Sequence, residues 1–129
     1  MTSWLNIMAV AAGGACGAVC RHFVTVAAMA VPGGTSLWGT TIANVLGCGL
    51  LGGLAEYGLV EGNLTRNWTL ALRVGFLGSL TTFSTFAAES AVTAGEGRPA
   101  AATAYVLANL VGGWTALLGT TWMVRGWMT

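Results

Sequence analysis

Between Gly75 and Phe86 the chain reads Gly-Phe-Leu-Gly-Ser-Leu-Thr-Thr-Phe-Ser-Thr-Phe, a concentration of hydroxyls and rings inside otherwise apolar sequence. Phe83 and Phe86 are three residues apart, so wherever the backbone is helical their rings share one face, which Ser90 and Thr93 extend. A ring has a positive edge, and such edges beside Ser and Thr donors could escort a small anion. An aromatic pair in an apolar helix is ordinarily packing; the hydroxyl company is what points to chemistry. Glu89 follows three residues after Phe86, and an intramembrane carboxylate either marks a functional position or pairs with an arginine. In an earlier apolar run Thr40, Thr41 and Asn44 stand at i, i+3 and i, i+4 spacing, with Gly47 continuing their face. That is a row of donors or a patch of interhelical glue. Tyr105 and Asn109, one turn apart, add a hydroxyl and an amide. Arg21 lies within the first apolar run, where a charge costs several kcal/mol unless it reaches water or a partner. It either draws an anion into an aqueous vestibule or snorkels to the interface.

The elements that position these residues follow from composition. With 55% hydrophobic and 7% charged residues and a mean hydropathy of +0.73, the chain lacks the polar surface a soluble domain presents to water. Apolar runs near residues 4–30, 36–60, 68–94 and 100–125 each supply the roughly 20 residues that cross a ~30 Å hydrocarbon core. The reading is an all-α integral membrane protein of four transmembrane helices, one domain over residues 1–129, with both termini on one side. Pro32-Gly33-Gly34, Glu61-Gly62-Asn63 and Gly95-Glu96-Gly97-Arg98-Pro99 supply the turns. Trp4, Trp38, Trp68, Trp122 and Trp127 fall near span ends as interfacial anchors. The first span lacks the basic leader of a signal peptide and exceeds its apolar region in length. Glycine is loose in a helix and threonine hydroxyls compete for backbone hydrogen bonds, so the third helix is expected to break near residues 78–82. In hydrocarbon such a break survives only where protein or a watery path satisfies the freed backbone groups.

Charge bears on orientation. Arg66, Arg73 and Arg125 lie toward the side of the termini, Arg98 and the deeper Arg21 toward the other, and so weak a bias permits insertion both ways round. A chain this small does not easily enclose a conduit alone, and antiparallel dimerisation addresses both facts. Small-x-x-x-small patterns at Gly13/Gly17, Gly39/Ala43/Gly47, Gly49/Gly53 and Ala108/Gly112 allow close helix contact. Cys16, Cys20 and Cys48 fit packing better than a disulfide or a metal site, because His22 points away from the face Cys16 and Cys20 share. The five cations are all arginines, so there is no P-loop lysine. No Ser or acid stands at a catalytic spacing from His22, and an enzyme is not expected.

Three blocks together make a recognisable pattern: Gly13-Gly14-Ala15-Cys16-Gly17-Ala18-Val19-Cys20-Arg21, Gly39-Thr40-Thr41-Ile42-Ala43-Asn44-Val45-Leu46-Gly47, and Gly75 to Phe86. The chain resembles the Fluc/CrcB fluoride channel family over essentially its whole length. The resemblance implies an antiparallel, dual-topology homodimer in a bacterial inner or plasma membrane, with two narrow pores that pass fluoride passively out of the cytoplasm and protect against its toxicity. It also implies a structural sodium ion at the dimer centre, held by main-chain carbonyls of Gly78 and Thr81. By the same resemblance Phe83 and Phe86 are the paired rings along the pore, Asn44 the fluoride-facing donor and Arg21 the vestibule arginine. Thr82 and Ser84 fall within the signature, Glu89 is the acidic position after it, and Tyr105 with Asn109 is the polar track of the last helix. The implied partners are fluoride, a second copy of the chain and membrane lipid, and not nucleic acid. Ser79 stands where a second glycine is usual, His22 where a tyrosine often follows the arginine, and Asn109 where a serine is common.

Two alternatives come from other classes. A small multidrug-type antiporter has a similar size and span number, but cation export calls for a carboxylate in the substrate cavity, and the first span carries Arg21 instead; Glu89 is the acid that keeps this alternative open. A non-transporting membrane subunit leaves the Thr/Phe stretch unexplained.

Overall fold

The computed structural model describes residues 3–61 and 65–128, and the expected turn at Gly62-Asn63 lies outside them. Helix α1 runs Trp4–Ala30 and α2 runs Ser36–Glu61; α3 (Arg66–Thr69), a π-helix (Leu70–Leu77), α4 (Gly78–Leu80) and α5 (Phe83–Gly95) follow in line, and α6 runs Pro99–Met128. Among the described residues they make four stretches long and apolar enough to cross a membrane: Trp4–Ala30, Ser36–Gly58, Arg66–Gly95 and Pro99–Met128. The chain is a multi-pass membrane protein. Its burial pattern agrees with lipid as the solvent, since the buried residues are mostly small or polar, such as Ala43, Thr40 and Asn109, while Trp4, Phe23, Trp114 and Trp127 lie exposed.

Local chemistry sets the ends of the spans. The Ser3 hydroxyl accepts the Asn6 N–H at 3.3 Å and caps α1. Gly33 and Gly97 take the left-handed backbone, φ +76° and +75°, that turns the chain between spans. Pro99 opens α6, where its missing N–H is not needed.

The third span is irregular in two places. Leu70–Leu77 is π-helical, which the sequence pattern does not announce. At Thr81 (φ −81°, ψ 153°) and Thr82 (φ −149°, ψ 114°) the backbone is extended, and the helix resumes at Phe83. Before these threonines the span packs on α1; after them α5 packs chiefly on α6. The change of partner is what the extended pair accomplishes, because a straight helix could not follow both neighbours.

Close approach, not apolar burial, holds the bundle, as expected where lipid tails are as apolar as the side chains. A Cβ added at Gly13 would collide with the Ala71 carbonyl and one at Gly17 with the Phe76 carbonyl, so α1 lies directly on the backbone of the π-helix. The α2–α6 pair, parallel and the most extensive contact in the fold, uses the same device at Gly52, which abuts the Leu117 carbonyl. Its length is zipped by polar bonds. Thr120 donates to the Gly49 carbonyl at 2.7 Å, and Arg125 forks onto Glu56 with Nε–Oε1 2.8 Å and a guanidinium N–H to Oε2 at 3.1 Å.

Candidate functional site

The extended threonines are held by a side chain from another helix. Asn44, on α2, accepts the Thr82 N–H on Oδ1 at 2.8 Å and donates Nδ2–H to the Thr82 carbonyl at 3.3 Å, pairing with that residue's backbone as a neighbouring strand would. These two bonds fix the orientation of the amide. Its second N–H then donates to Asn109 Oδ1 at 2.9 Å, which turns the Asn109 N–H groups toward Thr41 Oγ1 and the Tyr105 carbonyl, both at 3.0 Å. Thr41 in turn donates to the Leu37 carbonyl at 2.9 Å. The network runs in one direction, and every N–H of both amides is engaged.

The same interruption frees two carbonyls. In a continuous helix the Gly78 carbonyl would accept from Thr82 N–H and the Thr81 carbonyl from Thr85 N–H. Here the first donor goes to Asn44 and the second to the Thr82 hydroxyl, at 3.3 Å. Main-chain oxygens released in this way suit a hard cation such as sodium, as thiolates do not.

The rings form a chain. Phe83 and Phe86 have centroids 5.7 Å apart at 54°, and Phe86 and Tyr105 5.5 Å apart at 47°. Phe86 is wedged between the others and 8% exposed, whereas Phe83 is 78% exposed on a single chain. Phe83 and Phe86 line a cavity of about 310 Å³ together with Asn44, Thr82, Asn109 and Arg73. On the far side of the amide network, Thr41 and Tyr105 line a second cavity of about 450 Å³ that also holds Arg98. The network thus stands as a polar partition between two hollows, one lined by residues toward the termini side, such as Leu51 and Arg73, the other by residues toward the opposite side, such as Leu37 and Arg98.

The structure brings together Asn44, Thr82, Phe83, Phe86, Tyr105 and Asn109 in this one region, with Gly78 and Thr81 on the lining of the first cavity. Glu89 joins it through Tyr105, whose hydroxyl donates to Glu89 Oε2 at 2.7 Å, so its partner is a phenol and not an arginine. Ser84 is exposed beside Phe83. Arg21, half-buried on α1, lies outside both cavities within one chain. Ser90 and Thr93 do not extend the donor face: their hydroxyls fold back onto the Phe86 and Glu89 carbonyls at 2.7 and 2.8 Å.

Sequence reasoning missed two features here. Arg73 was weighed only as an orientation charge, yet it faces the ring-lined cavity. Glu56 is not among the expected site residues; its signal is an acid near the end of the second span in a chain with four acidic residues, and its partner Arg125 lies on the helix parallel to it.

A family model described as CrcB-like protein, Camphor Resistance (CrcB), matches residues 8–121. A protein of Rhodopirellula baltica named fluoride-specific ion channel FluC is 38% identical, over 98% of this chain and 99% of its own. FluC 1 of Nitrobacter hamburgensis, also named a fluoride-specific ion channel, is 38% identical over 95% of this chain and 97% of its own. FluC 2 of Symbiobacterium thermophilum, with the same description, is 42% identical over 90% and 91%. Matches of this extent on both sides, together with a family model covering most of the spans, show that the chain belongs to the CrcB family.

Proposed function

We propose that this chain is a passive fluoride channel. The observation that carries it is the meeting, at the interruption of the third span, of the Phe83 and Phe86 rings with the Asn44–Asn109 amide network in a cavity that, among the described residues, no carboxylate lines. Relatives named fluoride-specific ion channels support the choice of ion and a transport class over an enzyme.

Fluoride is small and strongly hydrated, so a conduit must replace its water without trapping it. Ring edges of Phe83 and Phe86 supply weak positive potential along the approach. At the partition the ion meets Asn44, whose outward N–H is already given to Asn109 Oδ1. Fluoride takes the place of that oxygen as acceptor, so each arrival exchanges one hydrogen bond for another and the site is neither bare when empty nor deep when filled. Beyond the partition the path continues into the second cavity, whose walls include Thr41 and Tyr105.

The remaining parts of the reading concern the assembly. Two inverted copies form an antiparallel dimer with two pores, the third span being the broken helix at its centre. The carbonyls of Gly78 and Thr81 would hold a sodium ion there, which balances their charge and joins the subunits. Outward flow of fluoride down its gradient protects the cytoplasm. A cation antiporter is disfavoured because, among the described residues, the charged group on the ring-lined cavity is Arg73, not an acid.

Purified protein in liposomes is expected to release fluoride when valinomycin and a potassium gradient supply the counter-current; absence of release rejects the channel. Replacing a ring edge forfeits about 0.5–1.5 kcal/mol, a flux reduction of about 2- to 10-fold for Phe83→Ile or Phe86→Ile. Efflux unchanged in both variants rejects the ring path.

A further inference from the structure

Resting on the channel reading, we propose that Arg73 is the cation that concentrates anions in the ring-lined cavity and sets the supply of fluoride to Asn44 from the side of the termini. Three observations converge on it. First, Arg73 lines that cavity together with Phe83, Phe86, Thr82 and Asn44, and among the described residues it is the one charged residue that does. Second, it stands about 10 Å along the third span from Arg66, at about 1.5 Å per residue, a depth at which an arginine needs water, a counter-charge or both. Third, none of the three acids whose side chains are described is within ion-pair distance of it: Glu56 is held by Arg125, Glu96 is paired with Arg98, and Glu89 receives the Tyr105 hydroxyl.

None of these three carboxylates compensates the charge, which faces a hollow of about 310 Å³ that can hold water. An anion is the counter-charge this arrangement admits. Low-dielectric walls focus the potential of such a residue and raise the local anion concentration. The π-helix Leu70–Leu77 carries Arg73, and π-helical irregularities within a helix are frequent at functional sites. Arg21, on α1, does not line this cavity within one chain, so the two arginines act at different places. Arg73 attracts the ion but does not discriminate among halides, because a point of positive potential without fixed donors around it acts on charge.

The test compares Arg73→Gln and Arg73→Lys with the unmodified protein in the liposome assay, at low fluoride, with the ionic strength set by an impermeant salt. Arg73→Gln is expected to lower fluoride flux by about 10-fold at low ionic strength, the lower end of the range for electrostatic steering. The deficit should shrink as salt shortens the screening length to about 3 Å near 1 M. Arg73→Lys should restore most of the flux, because it keeps the charge. Each variant is first matched to the unmodified protein in elution volume and melting temperature. Should Arg73→Gln not fold, Arg73→Met serves as the neutral form. Equal flux in the neutral variant and the unmodified protein at low ionic strength overturns the proposal. So does a deficit that salt leaves untouched, or one that lysine shares in full, since either would mean that shape and not charge is at work. Failure of the unmodified protein to pass fluoride is a separate result, which rejects the channel itself.

Discussion

Asn44 holds both polar groups of Thr82 and passes its remaining N–H to Asn109, so one side chain fixes the backbone at the interruption and presents the donor that fluoride would claim. The two duties can be separated. Asn44→Ala orphans the Thr82 N–H and carbonyl, at about 1–3 kcal/mol for each buried group, and should lower both the melting temperature and fluoride flux. Asn44→Asp keeps an acceptor for the Thr82 N–H but sets negative charge against the Thr82 and Asn109 oxygens and against the anion. It is expected to recover part of the thermal stability while flux stays at least as low; flux near the unmodified level in both variants would reject the donor role. Spacing alone made Thr41 and Asn44 one face of a helix, and Tyr105 and Asn109 one face of another. It did not show that the two amides donate in sequence, because which nitrogen meets which oxygen depends on helices 65 residues apart along the chain. For the same reason the Glu89 carboxylate could be flagged from sequence but its tyrosine partner could not.

At the scale of elements, the third span is a helix that changes neighbours, and α1 rests on its first half through glycines. Side chains at Gly13 or Gly17 would meet backbone oxygens of the π-helix, which cannot swing aside as a flexible side chain would. Gly13→Val is expected to cost at least the about 1–3 kcal/mol typical of overpacking, seen as a lower melting temperature or loss of folded protein. Gly119→Ala, where an added Cβ meets nothing within 4 Å, is the matched control and should be tolerated. A Gly13→Val protein as stable as this control would show that α1 can withdraw from the π-helix at no cost. The small-x-x-x-small repeats marked Gly13 and Gly17 as contact residues, but not their partner. The π-helix was not legible at all: Leu70–Leu77 has the composition of an ordinary apolar helix, and the extra residue per turn accompanies packing against α1.

For the whole molecule, the arginine distribution argues for insertion in both orientations, since Lys/Arg asymmetry is weak and acidic neighbours contribute little to the rule. A reporter at the C-terminus that is active only in the cytoplasm, and another active only outside it, should both score in the same cells. Adding two lysines next to Arg66 is expected to drive the population to one orientation and to reduce fluoride resistance unless an oppositely biased copy is co-expressed. A single reporter scoring alone in the unmodified protein would reject dual topology. The Glu56–Arg125 fork bears on this scale too, because it ties the terminus-side ends of α2 and α6 whichever way the chain is inserted.

Composition and periodicity by themselves determined that this chain crosses a membrane in four apolar stretches and that the segment from Gly75 to Phe86 differs from the rest. Those are properties of residue type counted along the chain, and hydrocarbon thickness reads them directly. Only the tertiary structure decided that Asn44 holds Thr82, that the ring chain continues from Phe86 to Tyr105, and that Arg73 faces the cavity they line. Each of these depends on how one helix is rotated against another, and in lipid that rotation is set by where glycines admit a neighbouring backbone and where polar groups find partners.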